Sequence, residues 1–493
     1  MHLPRFLPAA AAVLLLTASS LAGDLEDGIK LRSDGKFEQA LVKLQKAVDA
    51  DPKNAVAAAE LSRVLTGLGK YEQAAKCVGP ALEANPNDVS LLVARSRAWI
   101  GFGDAMARDG GDPNMILAYV GDADVWAKKA LDKDPKNSEA RYIKARILQH
   151  QNGSDQTEAK AAFEALVKDD PKCFDAHWEL AQMSLRKARA KTRTVNDWAA
   201  AEKHFRDAFA ADPKSGQAIL QATYAKAWQR VALAPELIND YTQCAAILPD
   251  DPAPYASIWK LRKQAAPEAR AALEKLAKAP ATAGKAKAYL CLIDGDAALA
   301  AGKPKEATEA YSKAPEHFGA TGDGKDIYVA LHDAGLRGAG FDADQREQMW
   351  TAAWKAWPDR PAIPSNVGLW YRDVGHDFKR AETWYLRAAA AAPTSPQVLN
   401  DTGVIYHYHL NQFDKAEAWY RKAVAAAREQ GVEPSDDARN DIEGVGFRDA
   451  LNNLAKVLAA QKHWKELRQF AEDDVPEGFP GRDQWLNAGK DDK

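Results

Sequence analysis

Residues 35–52 read GKFEQALVKLQKAVDADP, and residues 69–86, which begin 34 positions later, read GKYEQAAKCVGPALEANP. The two stretches share a glycine, an aromatic residue two positions on, alanines at helical spacing and a closing proline. These shared residues are Gly35, Phe37, Ala40, Ala47 and Pro52 in the first stretch and Gly69, Tyr71, Ala74, Ala81 and Pro86 in the second. A period of this length predicts an array of repeated helical units.

Each shared residue type has a physical role in a pair of helices. A glycine can end the first helix in a left-handed turn, because it has no Cβ to clash. Alanine lets the second helix lie close to its neighbours, and the aromatic ring fills the space between the paired helices. A proline stops the second helix, since it has no amide hydrogen to donate. One such pair cannot bury its apolar face alone, so successive pairs must stack.

The pattern returns near the C-terminus, where the positions shared by two successive units recur at a period of 35. The residues that define the later unit are Gly403, Tyr406, Ala416, Tyr420 and Ala423. We count about eleven units along the chain, with the poorest matches in the middle.

The spacing, the small residues and the closing prolines resemble the tetratricopeptide repeat (TPR) family. The resemblance implies an all-α fold, a right-handed superhelical solenoid of antiparallel helix pairs. It also implies a scaffold whose concave face, lined by first helices, receives an extended peptide or a helix of a partner. Leu25, Ile29 and Glu60 stand where the chaperone-type carboxylate clamp of some relatives needs basic or amide groups, so that clamp is not predicted and the ligand-binding residues stay unknown.

The repeat pattern predicts five segments. They are a signal peptide at 1–22, an N-terminal TPR-like array at 23–249, an irregular proline-rich bend at 250–280, a C-terminal TPR-like array at 281–473 and a polar tail at 474–493.

The first 22 residues have the composition of a signal peptide. Arg5 precedes an apolar run, Ala9 to Leu16, and Ser20 and Ala22 are the small residues that a signal peptidase requires. We expect cleavage before Gly23 and a periplasmic or secreted protein. The alternative is a retained membrane anchor, although the run is shorter than the ~20 residues of a membrane span. No stable span is expected in the mature chain.

The composition argues against a nucleic-acid-binding protein and against a disulfide-linked one. The 66 Lys and Arg residues balance 69 Asp and Glu residues, so no nucleic-acid partner is predicted. The chain has four cysteines, and Cys77 and Cys173 are almost three repeats apart. Distant layers of a solenoid do not bring Cα atoms within the ~7 Å that a disulfide needs, so most of the cysteines are expected to be buried small hydrophobic residues.

No catalytic, cofactor or metal site is predicted. The sequence contains no phosphate-binding loop of the form GxxxxGK[ST], no GxSxG and no HExxH. His407 and His409 are two apart on a predicted helix and point in different directions, so they are interpreted as surface or groove histidines. An enzyme within the irregular segment 250–345 is the weakest alternative.

Two surface features are compatible with several classes of partner and do not identify one. The basic run from Arg186 to Arg193 suits an acidic partner or a membrane surface, or is simply a solvated helix end. Four of the fourteen tryptophans, Trp259, Trp354, Trp357 and Trp370, have no evident packing position and would suit a cell-wall glycan if exposed. The leading hypothesis is a non-enzymatic exported scaffold that binds a protein, and the alternative is a carbohydrate-binding protein.

Overall fold

The structure is a computed structural model that describes residues 23–153, 155–190, 195–230, 233–319, 327, 329–331, 334 and 340–490. Over these residues the chain is helical and contains no strand, which confirms the predicted all-α class. The predicted signal peptide lies outside the described residues. The chain divides into two compact units, Met1–Ala232 and Leu233–Lys493.

The first unit consists of helices that pack as antiparallel pairs, and the first helix of each pair is followed directly by the second. The helices are α1 (23–33), α2 (Phe37–Ala50), α3 (Ala55–Gly67), α4 (Tyr71–Cys77), α5 (Gly79–Ala84), α6 (Val89–Arg108), α7 (Pro113–Lys133), α8 (Ser138–Gln151), α9 (Thr157–Asp169), α10 (Phe174–Arg189), α11 (Val195–Ala211) and α12 (Gly216–Gln229).

The second unit follows the same plan and includes one short π-helix. Its described helices are α13 (Ala234–Ile247), α14 (Ala253–Leu261), α15 (Ala266–Leu276), α16 (Pro280–Ala300), α17 (Pro304–Phe318), α18 (Ala343–Ala356), α19 (Ala362–Asp373), α20 (Phe378–Ala391), α21 (Pro396–Val404), the π-helix (Ile405–His409), α22 (Phe413–Glu429), α23 (Ile442–Ala460), α24 (Trp464–Asp473) and α25 (Arg482–Leu486).

The turn inside a helix pair requires one residue in the left-handed region. Gly35 and Gly69 occupy it with φ of +76° and +74°. The amide of Lys36 donates to the carbonyl of Leu31 across the first of these turns at 2.9 Å, which satisfies a carbonyl at the helix end. In the second unit Gly302 occupies the equivalent position, two residues before the second helix, with φ of +70°. His376, Asn411 and Lys462 occupy it in three later pairs, also with positive φ.

The connection between pairs is a recurring proline turn. Asp51 accepts a hydrogen bond from the amide of Lys53 at 3.1 Å, and Asn54 caps α3 by accepting one from the amide of Ala57 at 3.0 Å. The exposed Pro52 lies between these residues and stops α2. Pro86 lies, also exposed, in the equivalent turn before α6. The chain therefore reverses direction in four residues and enters the next first helix with its amides satisfied.

The packing residues of the repeat lie in the core. The following repeat-defining residues are buried: Ala40, Ala47, Ala74, Ala81, Gly403, Tyr406, Ala416, Tyr420 and Ala423. Phe37 and Tyr71 are half-buried.

Paired helices come closest where a first-helix glycine faces a second-helix ring. A Cβ built on Gly403 would lie 2.5 Å from Cε1 of Tyr420, and one on Gly295 would lie 2.5 Å from Cε1 of Tyr311. Both distances are shorter than any ordinary carbon contact. In the first unit Ser62 and Ser96 fill comparable first-helix positions, and their hydroxyls donate to carbonyls of the second helix at 2.9 and 2.7 Å.

The segment 250–280 contains two short helices, α14 and α15. Pro254 and Pro267 lie in the first turn of these helices, where a missing amide hydrogen leaves no hydrogen bond unmade. Whether this segment bends the array stays a prediction.

The contact between Gly403 and Tyr420 can be tested with a single methyl group. We expect Gly403→Ala to lower the free energy of unfolding by about 1–3 kcal/mol, because the Tyr420 ring must move in a packed core. Urea unfolding followed by tryptophan fluorescence measures the change.

Gly121→Ala is the matched control. Gly121 is exposed within α7 and a Cβ there meets nothing within 4 Å, so this variant should be neutral or up to about 1 kcal/mol more stable. Equal unfolding midpoints for the two variants would contradict the proposed role of the close contact.

Candidate protein-binding groove

Three arginines occupy the same position in three successive first helices of the first unit. Arg63, Arg97 and Arg146 are each the ninth residue after the cap residue of their helix, which is Asn54, Asp88 or Asn137. Their neighbours one position earlier, such as Ser62 and Ser96, are buried between the helices. One residue turns a helix by about 100°, so each arginine points to one side of the buried residue that precedes it. The arginines therefore lie beside the packing face, on the common surface formed by the first helices.

The arginines of the first two repeats are joined by one carboxylate. Glu60 accepts from Arg32 on α1 at 2.6 Å and from Arg63 on its own helix at 2.7 Å. The Glu60 side chain is only 11% exposed, whereas Arg32 and Arg63 are 32% and 26% exposed. The Glu60 carboxylate therefore lies deeper in the protein than the two guanidinium groups, and both guanidinium groups retain access to solvent.

Further charged contacts join residues of alternate repeats. Arg63 of α3 lies 3.6 Å from Glu139 of α8, and Arg97 of α6 lies 3.9 Å from the same carboxylate. Arg97 also pairs with Asp175 of α10 at 2.7 Å. We call the six residues Arg32, Glu60, Arg63, Glu139, Arg97 and Asp175 the charged ladder.

The ladder shows that the first helices of this unit face one another. Arg63 reaches Glu139 past the repeat between them, and Arg97 reaches Asp175 in the same way. Side chains of alternate repeats can meet only on the concave side of a stack. Every ladder residue except Glu60 lines a cavity of about 490 Å³, together with Phe37, Tyr142 and Phe174.

The charges around Arg97 keep its guanidinium group protonated. Burial lowers the pKa of Arg97, but Asp175, Tyr142 and Glu139 raise it more, so the net shift is upward. The guanidinium lies 5.1 Å from the centre of the Tyr142 ring, within range of a cation–π contact. Burial raises the pKa of the Cys173 thiol in the same lining, which makes it a poor nucleophile at neutral pH.

A second charged cluster lies further along the same helices. Arg146 contacts Asp104 at 2.5 Å and Glu179 at 3.1 Å, and the His150 ring is 2.7 Å from Asp104. Burial raises the pKa of Asp104, but the hydrogen bond from His150 and the charge of Arg146 hold it below its usual value. This cluster consists of paired charges and hydrogen-bonding groups, which suit recognition of a polar polypeptide segment.

The second unit carries a half-buried acid, Asp401, on one of its first helices. Burial raises the pKa of Asp401 on α21 to about 6, even though Gln397 donates to its carboxylate at 3.0 Å and Arg372 is nearby. The charge of Asp449 on α23 adds to this increase. Beside it, the amide of Asn453 donates to Asn400 at 3.1 Å.

The four unplaced tryptophans do not form an exposed binding surface. Trp357 is 2% exposed and packs against Phe318, and the other three are partly buried. The Trp370 and Trp354 rings pack against those of Trp350 and Trp384. The glycan partner proposed from these residues is therefore not supported.

The interpretation of His407 as a surface or groove residue is wrong. His407 is 8% exposed, stacks on Tyr408 and lies 3.3 Å from the hydroxyl of Tyr420. His409 stacks on Phe378 at 4.6 Å between ring centres. The two rings lie on the π-helix Ile405–His409 and pack against different partners, as their spacing predicted, but the sequence did not indicate that His407 is buried.

The remaining sequence expectations concern the cysteines and the basic run. None of the four cysteines forms a disulfide, and Cys244 is buried while the other three are half-buried. Arg186, Lys187 and Arg189 lie in the last turn of α10, where cations interact favourably with the helix dipole. The rest of that run, residues 191–193, lies outside the described residues.

Comparison with known families agrees with this architecture. Tetratricopeptide-repeat profiles match residues 31–96, 152–215 and 371–431. The chain is a tetratricopeptide-repeat protein. TPR repeats of this kind make it a scaffold for protein–protein interaction. None of the TPR protein's helices in the described ranges combines the length and apolar character needed to cross a bilayer.

Solved structures similar to this TPR protein share little sequence with it. A thermophilic TPR protein of Thermus thermophilus is 17% identical, with 42% of this chain and 98% of that chain covered and a TM-score of 0.35. Yeast Tom70 is 15% identical, with 95% of each chain covered and a TM-score of 0.26. YrrB, a TPR protein described as having an unusual peptide-binding site, is 21% identical over 41% of this chain and 90% of its own, with a TM-score of 0.23. A comparison with curated protein sequences finds no match.

The arginine series was missed in the sequence although a signal was present. Arg97 follows Arg63 by 34 residues, and Arg146 follows Arg97 by 49, because the helix pair α6 and α7 is longer than the pair that precedes it. Aligning the helices on their cap residues restores the match. The acidic partners Glu139 and Asp175 could not be found in this way, since they come from other repeats and other helix positions.

The raised pKa of Asp401 predicts a pH-dependent stability. Its folded pKa of about 6 exceeds the unfolded value of about 4, so the native state binds the proton more tightly. The contribution of this group is therefore full below about pH 4 and is lost as pH rises through about 6. We expect Asp401→Asn to be more stable than wild type at pH 7.5, by about 1–3 kcal/mol, and to lose that advantage at pH 4.

Paired urea titrations at the two pH values measure this difference. Glu472→Gln, at an exposed residue of α24, is the control and should follow wild type at both pH values. An Asp401→Asn advantage that is the same at pH 4 and pH 7.5 would show that the ionisation of Asp401 is not its cause.

Proposed function

We propose that this TPR protein is a non-enzymatic, exported scaffold that binds a polypeptide segment along the charged ladder of its first unit. The convergence of five first helices on one cavity is the observation that carries the proposal. Backbone amides and carbonyls of an extended segment would contact the polar side chains, and aromatic residues such as Phe37 and Phe174 would pack on its side chains.

The ladder also indicates what the segment should carry. Its three cations and three anions balance, so the groove attracts neither charge strongly at long range. The weakest contacts are those of Glu139, at 3.6 and 3.9 Å from Arg63 and Arg97. A partner carboxylate placed between these two arginines could make shorter, charge-assisted hydrogen bonds than Glu139 does. The partner is therefore proposed to present an acidic side chain or a C-terminal carboxylate at this point.

The location outside the cytoplasm rests on the composition of residues 1–22. We expect the protein isolated from its native cells to begin at Gly23 and to be found in the envelope or the medium. Intact mass measurement of each cell fraction tests this. A protein of full-length mass confined to the cytoplasm would contradict export, and one of full-length mass in the membrane fraction would indicate a retained anchor.

The binding proposal is tested by site-specific crosslinking. A photoactivatable amino acid replacing Ser138, in the groove, should crosslink one polypeptide in the native envelope fraction. The same amino acid replacing the exposed Lys76 on α4 should not.

Charge-neutralising variants then test the arginines. The double variant Arg63→Gln, Arg97→Gln should reduce the crosslink about tenfold or more, because two charge-assisted hydrogen bonds are lost. The matched control is Lys76→Gln with Lys160→Gln, two exposed lysines on second helices, which should retain it. Circular dichroism confirms that both variants are folded. Equal crosslinking by a folded double variant would exclude the arginines as the binding contacts.

A further inference from the structure

A small cavity on the fifth helix pair brings together two histidines and an aspartate. His177 lies on α10, and His204 and Asp207 lie on α11. One ring nitrogen of each histidine and one carboxylate oxygen all lie within 4.8 Å of one another. The cavity they line has a volume of about 330 Å³. The sequence assigned no metal ligand here, because the two histidines are 27 residues apart.

The His177 ring is oriented with one nitrogen free. The residue is only 6% exposed, and its Nε2 lies 3.1 Å from the carbonyl oxygen of Pro171, to which it donates a hydrogen bond. That bond leaves Nδ1 with a lone pair, and Nδ1 is buried without a hydrogen-bond partner. A histidine that binds a metal is usually held in this way, by a carbonyl or carboxylate on its other nitrogen.

The other two groups are spaced for the same centre. His204 and Asp207 are three residues apart on α11 and therefore lie on one face of the helix, a turn apart. His204 Nδ1 is likewise buried without a hydrogen-bond partner. Asp207 Oδ2 is 3.9 Å from His177 Nδ1, and the two imidazole ring centres are 5.9 Å apart.

We propose that His177, His204 and Asp207 bind one divalent transition-metal ion between α10 and α11, with Zn²⁺ as the best match to two imidazoles and a carboxylate. Metal–ligand bonds of about 2.0–2.2 Å place tetrahedral ligand atoms roughly 3.4 Å apart. Small rotations of the partly exposed His204 and Asp207 side chains would reduce the present distances between the ligand atoms to that value. The fourth position faces the cavity and is filled by water or by Glu164 of α9.

The charges around the cavity set its affinity. Asp207 and Glu164 are acidic, and Lys168 and Lys203 also line the cavity. Lys203 lies 3.2 Å from Asp207 Oδ2, so an arriving cation competes with an ion pair. Removing Lys203 should therefore tighten metal binding, an effect that a purely structural role of these residues would not produce.

The experiment uses the untagged chain, because a polyhistidine tag would itself bind metal. After removal of metal with a chelator, Co²⁺ is titrated and its visible d–d absorption is recorded, followed by displacement with Zn²⁺. We expect one Co²⁺ per chain, the intense absorption of four-coordinate Co²⁺ and complete displacement by Zn²⁺. Calorimetry with Zn²⁺ alone gives the affinity.

Variants decide whether these three residues are the ligands. His204→Ala and Asp207→Asn should each weaken binding about tenfold or more, and Lys203→Gln should strengthen it several-fold. His463→Ala, a partly exposed histidine of the second unit, is the matched control and should bind as wild type does. The absence of Co²⁺ binding by the folded wild type, or binding unchanged in both His204→Ala and Asp207→Asn, would overturn the proposal.

Discussion

The close approach of two paired helices at a small first-helix residue is the constraint on which the rest of the structure depends. At Gly403 the space that a Cβ would occupy is taken by the Tyr420 ring, and at Gly295 it is taken by Tyr311. Where Ser62 or Ser96 fills such a position, its hydroxyl is bonded within the pair. Because a larger side chain would separate the helices, this residue sets the spacing of each pair and hence which neighbouring side chains point away from it.

The groove follows directly from that spacing. The position after the small residue is turned out of the contact, and Arg63, Arg97 and Arg146 occupy it in three successive repeats. The arginines of successive first helices would repel one another. Carboxylates of other repeats contact these arginines, so the positive charges are paired across the stack. Most of these pairs are partly exposed, and each contributes little to stability by itself. Their main consequence is a surface with fixed, alternating charge.

Much of the fold was predictable from particular residues. The 34-residue period, Gly35 and Gly69 at left-handed turns and Pro52 and Pro86 at helix ends specify helix pairs by local chemistry alone. The candidate groove was predictable only in part. The recurrence of Arg97 after Arg63 was visible, but the contact of Arg97 with Asp175, 78 residues later, depends on how the repeats stack. The left-handed His376, Asn411 and Lys462 were also missed, since none of them is the glycine that such a turn favours.

The sequence by itself therefore determined the helix pairs, their order and the family to which they belong, because these depend on residues close together in the chain. The tertiary structure alone decided which side chains meet across repeats: the charged ladder, the burial of His407 and of Trp357, and the raised pKa of Asp401. It also decided that His177 and His204 share one cavity. The physical reason is that burial, electrostatic pairing and ligand geometry depend on distances in space, and stacking brings together residues that no local pattern connects.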